Sequence, residues 1–166
     1  MRSREKIPEL EKILGYSFQD KELLVQALTH PSFAFENNVP SNERLEFLGD
    51  AVLSLVAAEH LYKLFPDASE GILTQRRAEI VQGTNLTLLS QKMGLGKYLF
   101  LGKGEKKQGG HRTPSNLANV LEAIIGAIYL DSGIGEGRVF IHRHFLGINQ
   151  KPERRNLKYR FLKYFK

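Results

Sequence analysis

The stretch at residues 41–58, SNERLEFLGDAVLSLVAA, constrains the fold of this chain more than any other segment. Its apolar residues cover almost the whole circumference of a helix, which is typical of a helix enclosed by protein. Glu43, Glu46 and Asp50 nevertheless follow one another at spacings of three and four, so at about 100° per residue they share one narrow stripe. We therefore expect a buried helix that carries three carboxylates and continues to about Leu64.

Three carboxylates on one stripe repel each other and require positive charge nearby, because a buried, uncompensated charge is strongly destabilising. Arg44 points off the stripe, which leaves a metal ion as the simplest partner. Carboxylate oxygens without cysteine or an ordered histidine pair suit a hard divalent cation such as Mg²⁺. Alternatively, Glu43 and Glu46 complement the positive end of the helix dipole, but Asp50 lies two turns in, beyond that effect.

A second unusual apolar helix is predicted over residues 117–130, LANVLEAIIGAIYL. Asn119 and Glu122 are its only strongly polar side chains, and their spacing of three places them on one face. Gly49 in the first helix and Gly126 in the second would let the two helices approach closely. The sequence therefore predicts one site shared by both polar stripes. The competing interpretation is a single buried Asn119–Glu122 hydrogen-bonded pair that serves packing.

The segment NERLEFLGDAVL resembles the signature stretch of the ribonuclease III family. The similarity covers nearly all of residues 5–147 and includes LEKILGYSFQDKELLVQALTHPSF, EGILTQRRAEIV, LGKGEKKQGG and LEAIIGAIYLDSG. This resemblance implies an all-α fold, the ribonuclease III endonuclease domain, in which two buried acidic helices cross at the active centre. We expect that domain to occupy residues 1–150.

The resemblance also implies an activity and its partners. Family members hydrolyse phosphodiester bonds in double-stranded RNA, leaving 5′-phosphate and 3′-hydroxyl ends, and they do so with Mg²⁺, for which Mn²⁺ can substitute. They act as homodimers in which each subunit cuts one strand, and they serve in rRNA and mRNA processing. We therefore expect this chain to bind double-stranded RNA and to form a homodimer.

Matching the motifs residue by residue carries the family's functional positions onto this chain. Asp50 and Glu122 fall on catalytic positions, and the metal-binding positions fall on Glu46, Asp50, Asn119 and Glu122. Glu43 and Glu70 fall on auxiliary acidic positions, although Glu70 could equally cap the helix that follows it.

Asn119 departs from the family pattern, which usually has an aspartate there. Asparagine keeps an oxygen ligand but removes one negative charge, so we expect weaker Mg²⁺ binding. This departure leaves an alternative open, a weakened or inactive RNA-binding or ribosome-associated protein that retains the fold. A purely structural dimerising domain is a third interpretation.

Two basic segments are candidates for contact with an RNA backbone. Arg76 and Arg77 are adjacent in a helix predicted over residues 74–81, so they face different sides and one of them can reach a phosphate. The glycine-rich segment 94–110 could be simply a flexible loop made soluble by charge. As an RNA-binding segment it would use Lys103, Lys106, Lys107 and, just beyond it, Arg112.

The net charge of +6 lies entirely at the C-terminal end of the sequence. Residues 1–150 contain 17 Lys and Arg against 17 Asp and Glu, whereas residues 151–166 contain seven basic residues and one acidic residue. This tail is predicted to form a basic amphipathic helix, and the resemblance suggests the start of a truncated double-stranded-RNA-binding domain. Without cysteine, a signal sequence or an uninterrupted apolar run, we expect a cytoplasmic protein with no membrane partner.

The remaining segments give simpler predictions. Short helices are expected near residues 10–14 and 23–28, a loop over residues 33–40, and a last helix over residues 138–145. His30, which precedes Pro31, is expected to fix a turn by hydrogen bonding rather than to bind a ligand.

Overall fold

The structure of this chain is a computed structural model that describes residues 6–147. Within that range the fold is all-α, as predicted, and an isolated bridge between Thr29 and Phe100 is the only strand-like pairing. Two short 3-10 turns, Leu95–Tyr98 and Gly110–Arg112, flank the seventh helix. The predicted basic tail at residues 151–166 lies outside the described residues. The helices are α1 (Ile7–Leu14), α2 (Lys21–Ala27), α3 (Pro31–Asn37), α4 (Glu43–Leu64), α5 (Glu70–Val81), α6 (Gly83–Met93), α7 (Lys103–Lys107) and α8 (Pro114–His144).

The centre of the fold is the contact between α4 and α8, the most extensive contact between any two helices. Gly49 makes this contact close, because a Cβ there would overlap the carbonyl oxygen of Glu122. Gly126 does the same from α8, where a Cβ would overlap the carbonyl oxygen of Leu45. The predicted close approach through the two glycines is therefore confirmed. Fully buried side chains around this contact include Leu53, Val56, Leu121, Ile124, Ile125 and Ile128.

The long helix α8 is interrupted once. Gly133 has φ 78° and ψ −176°, a conformation outside the helical region that favours glycine, and it divides α8 into two helical segments. The second segment ends at His144, close to the end predicted for the last helix. By length and composition alone α8 could cross a membrane, but much of it is buried within this fold, as expected for the core helix of a globular domain.

The prediction that α4 is enclosed on all sides is wrong on one side. Phe47, Leu55 and Tyr62 are 80%, 58% and 73% exposed, and together with exposed Ala51 they fall within about 80° of one another around the helix. We call these four residues the α4 apolar face. Helical periodicity identifies an apolar face but does not distinguish one that packs in the core from one that another molecule covers.

Two segments predicted to be irregular are ordered. Most of the loop expected over residues 33–40 is helix α3, which begins at Pro31 with His30 as its N-cap; the His30 side chain accepts a hydrogen bond from the Ser32 amide. This confirms the structural role predicted for His30. The segment 94–110 is not a flexible loop, since Leu95 and Tyr98 are buried in a 3-10 turn and α7 follows.

Candidate active site

Three of the predicted acidic residues, Glu46, Asp50 and Glu122, lie near one another at the α4–α8 contact. Glu46 and Asp50 lie on either side of Gly49 along α4, and Gly49 touches the main chain of Glu122 in α8. Asp50 is exposed, whereas Glu46 and Glu122 are half-buried. The acids therefore lie at the rim of the helix contact and not inside the core.

The three carboxylates act on one another electrostatically. Burial, together with the negative charges of Asp50 and Glu46, raises the pKa of Glu122 to about 7. Burial likewise raises the pKa of Glu46, with additional contributions from the charges of Glu43 and Asp50. Residues more than 70 positions apart in the sequence thus create a single region of negative electrostatic potential.

No basic side chain in the described range neutralises this field. The side chains of Glu46, Asp50 and Glu122 make no hydrogen bond or ion pair there; the ion pairs of Glu9, Glu11 and Glu59 lie elsewhere. Asn119 is half-buried one turn before Glu122, and its side chain has no hydrogen-bond partner among the described residues. The alternative of a packed Asn119–Glu122 hydrogen-bonded pair is therefore wrong.

The donor set fits a hard divalent cation. It consists of three carboxylates and one amide oxygen, with no sulfur or imidazole ligand. In their present conformations, however, no three His, Cys, Asp or Glu side chains of residues 6–147 are grouped closely enough to ligate one ion. Ligation would require the exposed Asp50 side chain, and its half-buried neighbours, to rotate toward a common point.

A sequence profile described as ribonuclease-III-like matches residues 20–148. The chain belongs to the ribonuclease-III-like family. It is 49% identical over 153 residues to Ribonuclease 3 of Carboxydothermus hydrogenoformans, covering 90% of this chain and 65% of that protein. It is 56% identical over 128 residues to Ribonuclease 3 of Pseudomonas fluorescens, covering 77% of this chain and 54% of that protein. The chain thus spans between about half and two thirds of the length of these relatives.

Solved structures of the same family share the fold. The nuclease domain of ribonuclease III from Campylobacter jejuni superposes with a TM-score of 0.79 at 40% identity, covering 87% of this chain and 97% of that domain. A second structure of that domain is described for structural flexibility in the region involved in dimer formation. It superposes with a TM-score of 0.78 at 41% identity, covering 84% of this chain and 99% of that one. Dicer from Pichia stipitis is more distant, with a TM-score of 0.58 at 28% identity over 79% of this chain and 56% of that one.

The two auxiliary acids of this ribonuclease-III-like chain differ in their surroundings. Glu43 is exposed, accepts a hydrogen bond from Ser41 Oγ at 2.7 Å, and its charge contributes to the raised pKa of Glu46. Glu70 is also exposed, in the first turn of α5, where Thr74 donates to its Oε1 at 2.8 Å. The N-cap of α5 is Ser69, so Glu70 is a first-turn acid and not the cap. Its auxiliary role remains a prediction.

The basic candidates fall into two groups. The Arg76 guanidinium lies 4.4 Å from the centre of the Phe65 ring, a cation–π contact that holds α5 against the end of α4. Arg77 beside it is half-buried as well, so neither arginine is simply solvated. The other group is exposed and consists of Lys103, Lys106, Lys107 and Arg112. These residues lie in α7 and the 3-10 turn that come just before the N-terminal end of α8, where Asn119 is found.

Two residues beside this site, Asn116 and Glu105, were not predicted from the sequence. Asn116 is buried in the first turn of α8, and its amide donates to Glu105 of α7. The signal was present in the sequence, because Asn116, Asn119 and Glu122 follow at spacings of three and share one helical face. Glu105, in contrast, could not be distinguished from a charge that merely balances the lysines around it.

Proposed function

We propose that this chain hydrolyses phosphodiester bonds in double-stranded RNA, with Mg²⁺, or Mn²⁺ in its place, held by Glu46, Asp50, Asn119 and Glu122. The observation that carries the proposal is a set of three mutually repelling carboxylates, without a basic partner in the described range, at the contact of two core helices. Such an arrangement destabilises the protein unless a cation relieves it. Membership of the ribonuclease-III-like family supports the same conclusion.

Each residue has a distinct part in this proposal. Glu46, Asp50 and Glu122 hold the cation with negative charge, and Asn119 adds an amide oxygen without charge. When bound, Mg²⁺ supplies positive charge that stabilises the phosphorane-like transition state and promotes attack by water on phosphorus. Breaking the bond from phosphorus to the 3′ oxygen then gives a 3′-hydroxyl end and a 5′-phosphate end.

Substrate binding is proposed to rest on the exposed cations of α7 and the turn after it. Lysine and arginine at this position can contact phosphates without reading the bases. Double-stranded RNA is recognised mainly through its shape, phosphates and 2′-hydroxyls, so we expect little sequence selectivity. A role in RNA processing would suit such an activity.

We also propose a homodimer formed through the α4 apolar face. An exposed apolar stripe of this kind is typical of an interface, and the Campylobacter jejuni domain is described as having a region involved in dimer formation. Asp50 lies about 60° from Phe47 around α4, so the acidic site borders this face. Two such sites in a symmetric dimer would allow each subunit to cut one strand.

Incubation of the chain with long double-stranded RNA and Mg²⁺ tests the proposal. The native chain should produce short duplexes that are sensitive to an exonuclease specific for 5′-phosphate ends. The control is Glu122→Gln, which keeps the size of the side chain but removes the charge, and it should produce none. Equal cleavage by both proteins would show that the acidic site is not responsible.

The alternative function, an RNA-binding protein without cleavage, is favoured by Asn119 alone. The same assay distinguishes it when RNA binding is measured in parallel. Binding without product from the native chain, together with product from Asn119→Asp, would assign the loss of activity to this residue.

A further inference from the structure

Helix α7 carries all three candidate RNA-binding lysines but is too short to be stable alone. Its five residues form little more than one turn, and isolated helices of that length are not populated in water. Tertiary contacts must therefore hold it. One of them is a hydrogen bond of 2.8 Å from the Lys103 amide to Glu36 Oε1 of α3.

A chain of hydrogen bonds begins at the same end of α7. The Gly102 amide donates to Ser32 Oγ at 3.0 Å, and Ser32 Oγ lies 2.8 Å from His30 Nδ1. The Ser32 amide also donates to His30 Nδ1, at 3.1 Å. Because Nδ1 accepts these hydrogen bonds, the ring proton of neutral His30 is on Nε2.

The chain then crosses to α8 and returns to α7. His30 Nε2 donates to Asn116 Oδ1 at 3.2 Å. Asn116 Nδ2 donates to Glu105 Oε1 at 2.8 Å and to the Gly110 carbonyl at 3.0 Å. Glu105 also packs on Gly110, where a Cβ would lie 2.5 Å from its Oε1. Both hydrogens of the buried Asn116 amide are thus used, and the network is a closed ring that starts and ends at α7.

The ring lies one helical turn from the candidate metal site. Asn116 precedes Asn119 by three residues on the same face of α8, a rise of about 4.5 Å along the helix. The side chains of Lys103, Lys106 and Lys107 are exposed on the segment that the ring holds. The ring therefore fixes the position of these cations relative to the acidic residues.

We propose that His30, Asn116 and Glu105 are positioning residues that hold α7 so that its lysines meet RNA phosphates while the duplex lies on the acidic site. This inference rests on the proposed function, since it requires double-stranded RNA as the ligand. None of the three residues need touch the RNA. They act by reducing the conformational freedom that the lysines would lose on binding.

Two substitutions break and then restore the link between Asn116 and Glu105. Asn116→Asp keeps the acceptor for His30 but loses both donated hydrogen bonds and places a second carboxylate beside Glu105. In the double variant Glu105→Gln with Asn116→Asp, the new amide at position 105 can donate to the new carboxylate at position 116. The double variant has the same net charge as the native chain, which makes it the matched control.

Binding to a long RNA duplex is measured at several salt concentrations, with Glu122→Gln in every protein to prevent cleavage. Asn116→Asp should weaken binding by about 5- to 30-fold at 0.15 M salt, and the slope of log affinity against log salt should fall by about one to two, as for lost phosphate contacts. Amides of residues 102–112 should exchange hydrogen faster. The double variant restores the hydrogen bond between positions 105 and 116 but not the one to the Gly110 carbonyl, so it should recover most of the affinity and of the salt slope. Without Glu122→Gln, both variants should keep the native rise in melting temperature with Mg²⁺.

The inference is overturned if Asn116→Asp keeps the native RNA affinity and salt slope. It is also overturned if the double variant binds RNA as weakly as Asn116→Asp does. If Asn116→Asp does not fold, Asn116→Ala, which keeps the native net charge and removes the same donated hydrogen bonds, must give the loss of affinity and slope. If the parent protein itself does not bind duplex RNA, the proposed function fails and takes this inference with it. Failure of the variants alone leaves the proposed function standing.

Discussion

Glu122 illustrates how one residue combines stability and function. It is half-buried beside two other carboxylates, and its pKa of about 7 shows that the folded protein resists its ionisation. Asn119 one turn earlier lowers the total charge that a cation would meet. The properties of the site thus depend on the number of charges as much as on their positions.

Asn119→Asp should tighten Mg²⁺ binding, because a fourth carboxylate adds charge to the ligand set. We expect the Mg²⁺ concentration for half-maximal cleavage to fall roughly tenfold. The Mg²⁺-induced rise in melting temperature gives a second measurement that does not depend on activity. The same half-saturation in both proteins would exclude any effect of Asn119 on metal binding.

Glu122→Gln should stabilise the metal-free protein at high pH. The pKa of Glu122 rises from its ordinary 4.5 to about 7 on folding, so the folded state binds more protons and the free energy of unfolding falls as the pH rises through this range. At pH 8 the substitution should raise the free energy of unfolding by about 1–2 kcal/mol, allowing for screening by solvent. Below pH 4.5 it should change little. Urea unfolding with EDTA at both pH values measures this, and destabilisation at pH 8 would contradict it.

At the scale of elements, the close contact of α4 and α8 positions the site. The two glycines let one main chain pack against the other, so side chains on either side of Gly49 lie near Glu122. A larger residue at either glycine would separate the helices, and with them the carboxylates. The same contact therefore maintains the core and the geometry of the acidic residues.

Gly49→Ala should destabilise the protein by about 2–4 kcal/mol, because its Cβ would overlap the main chain of Glu122. Gly71→Ala is the control, since no atom lies within 4 Å of a Cβ there and Gly71 is in a helix. That control should be neutral or stabilising by up to about 1 kcal/mol. Chemical unfolding of both variants measures the difference. Equal stability would mean that the helices do not touch at Gly49.

For the whole molecule, the main consequence is the exposed α4 apolar face. Its large side chains are solvated in a single chain, which is unfavourable, and it borders the acidic site. Covering it with a second copy would bury apolar surface and bring two acidic sites into one assembly. Assembly and catalysis are therefore expected to be linked.

Phe47→Asp should convert a dimer into a monomer, because a charge within the apolar face opposes its burial. Sedimentation velocity at micromolar concentration measures the mass, and circular dichroism should show unchanged helix content. The control is Leu88→Asp, which places the same charge on an exposed leucine of α6, outside this face. A native chain that sediments as a monomer would contradict the proposed homodimer.

Much of the fold could be predicted from the sequence. The extent of α4 and the shared stripe of acids follow from the geometry of a helix, and the glycines at positions 49 and 126 indicated where two apolar helices could approach closely. That geometry is local, so the spacing of residues along the chain is enough to assign them to a face. The family resemblance added the chemistry expected of those residues.

The rest depended on contacts between segments far apart in the sequence. His30 and Asn116 are separated by 86 positions, so no periodicity links them or orders α7 between them. Spacing likewise places Phe47 on an apolar face but does not reveal that this face is exposed. What lies opposite a helical face, whether protein core, solvent or a hydrogen-bonded ring, is set by long-range packing, and only the tertiary structure contains that information.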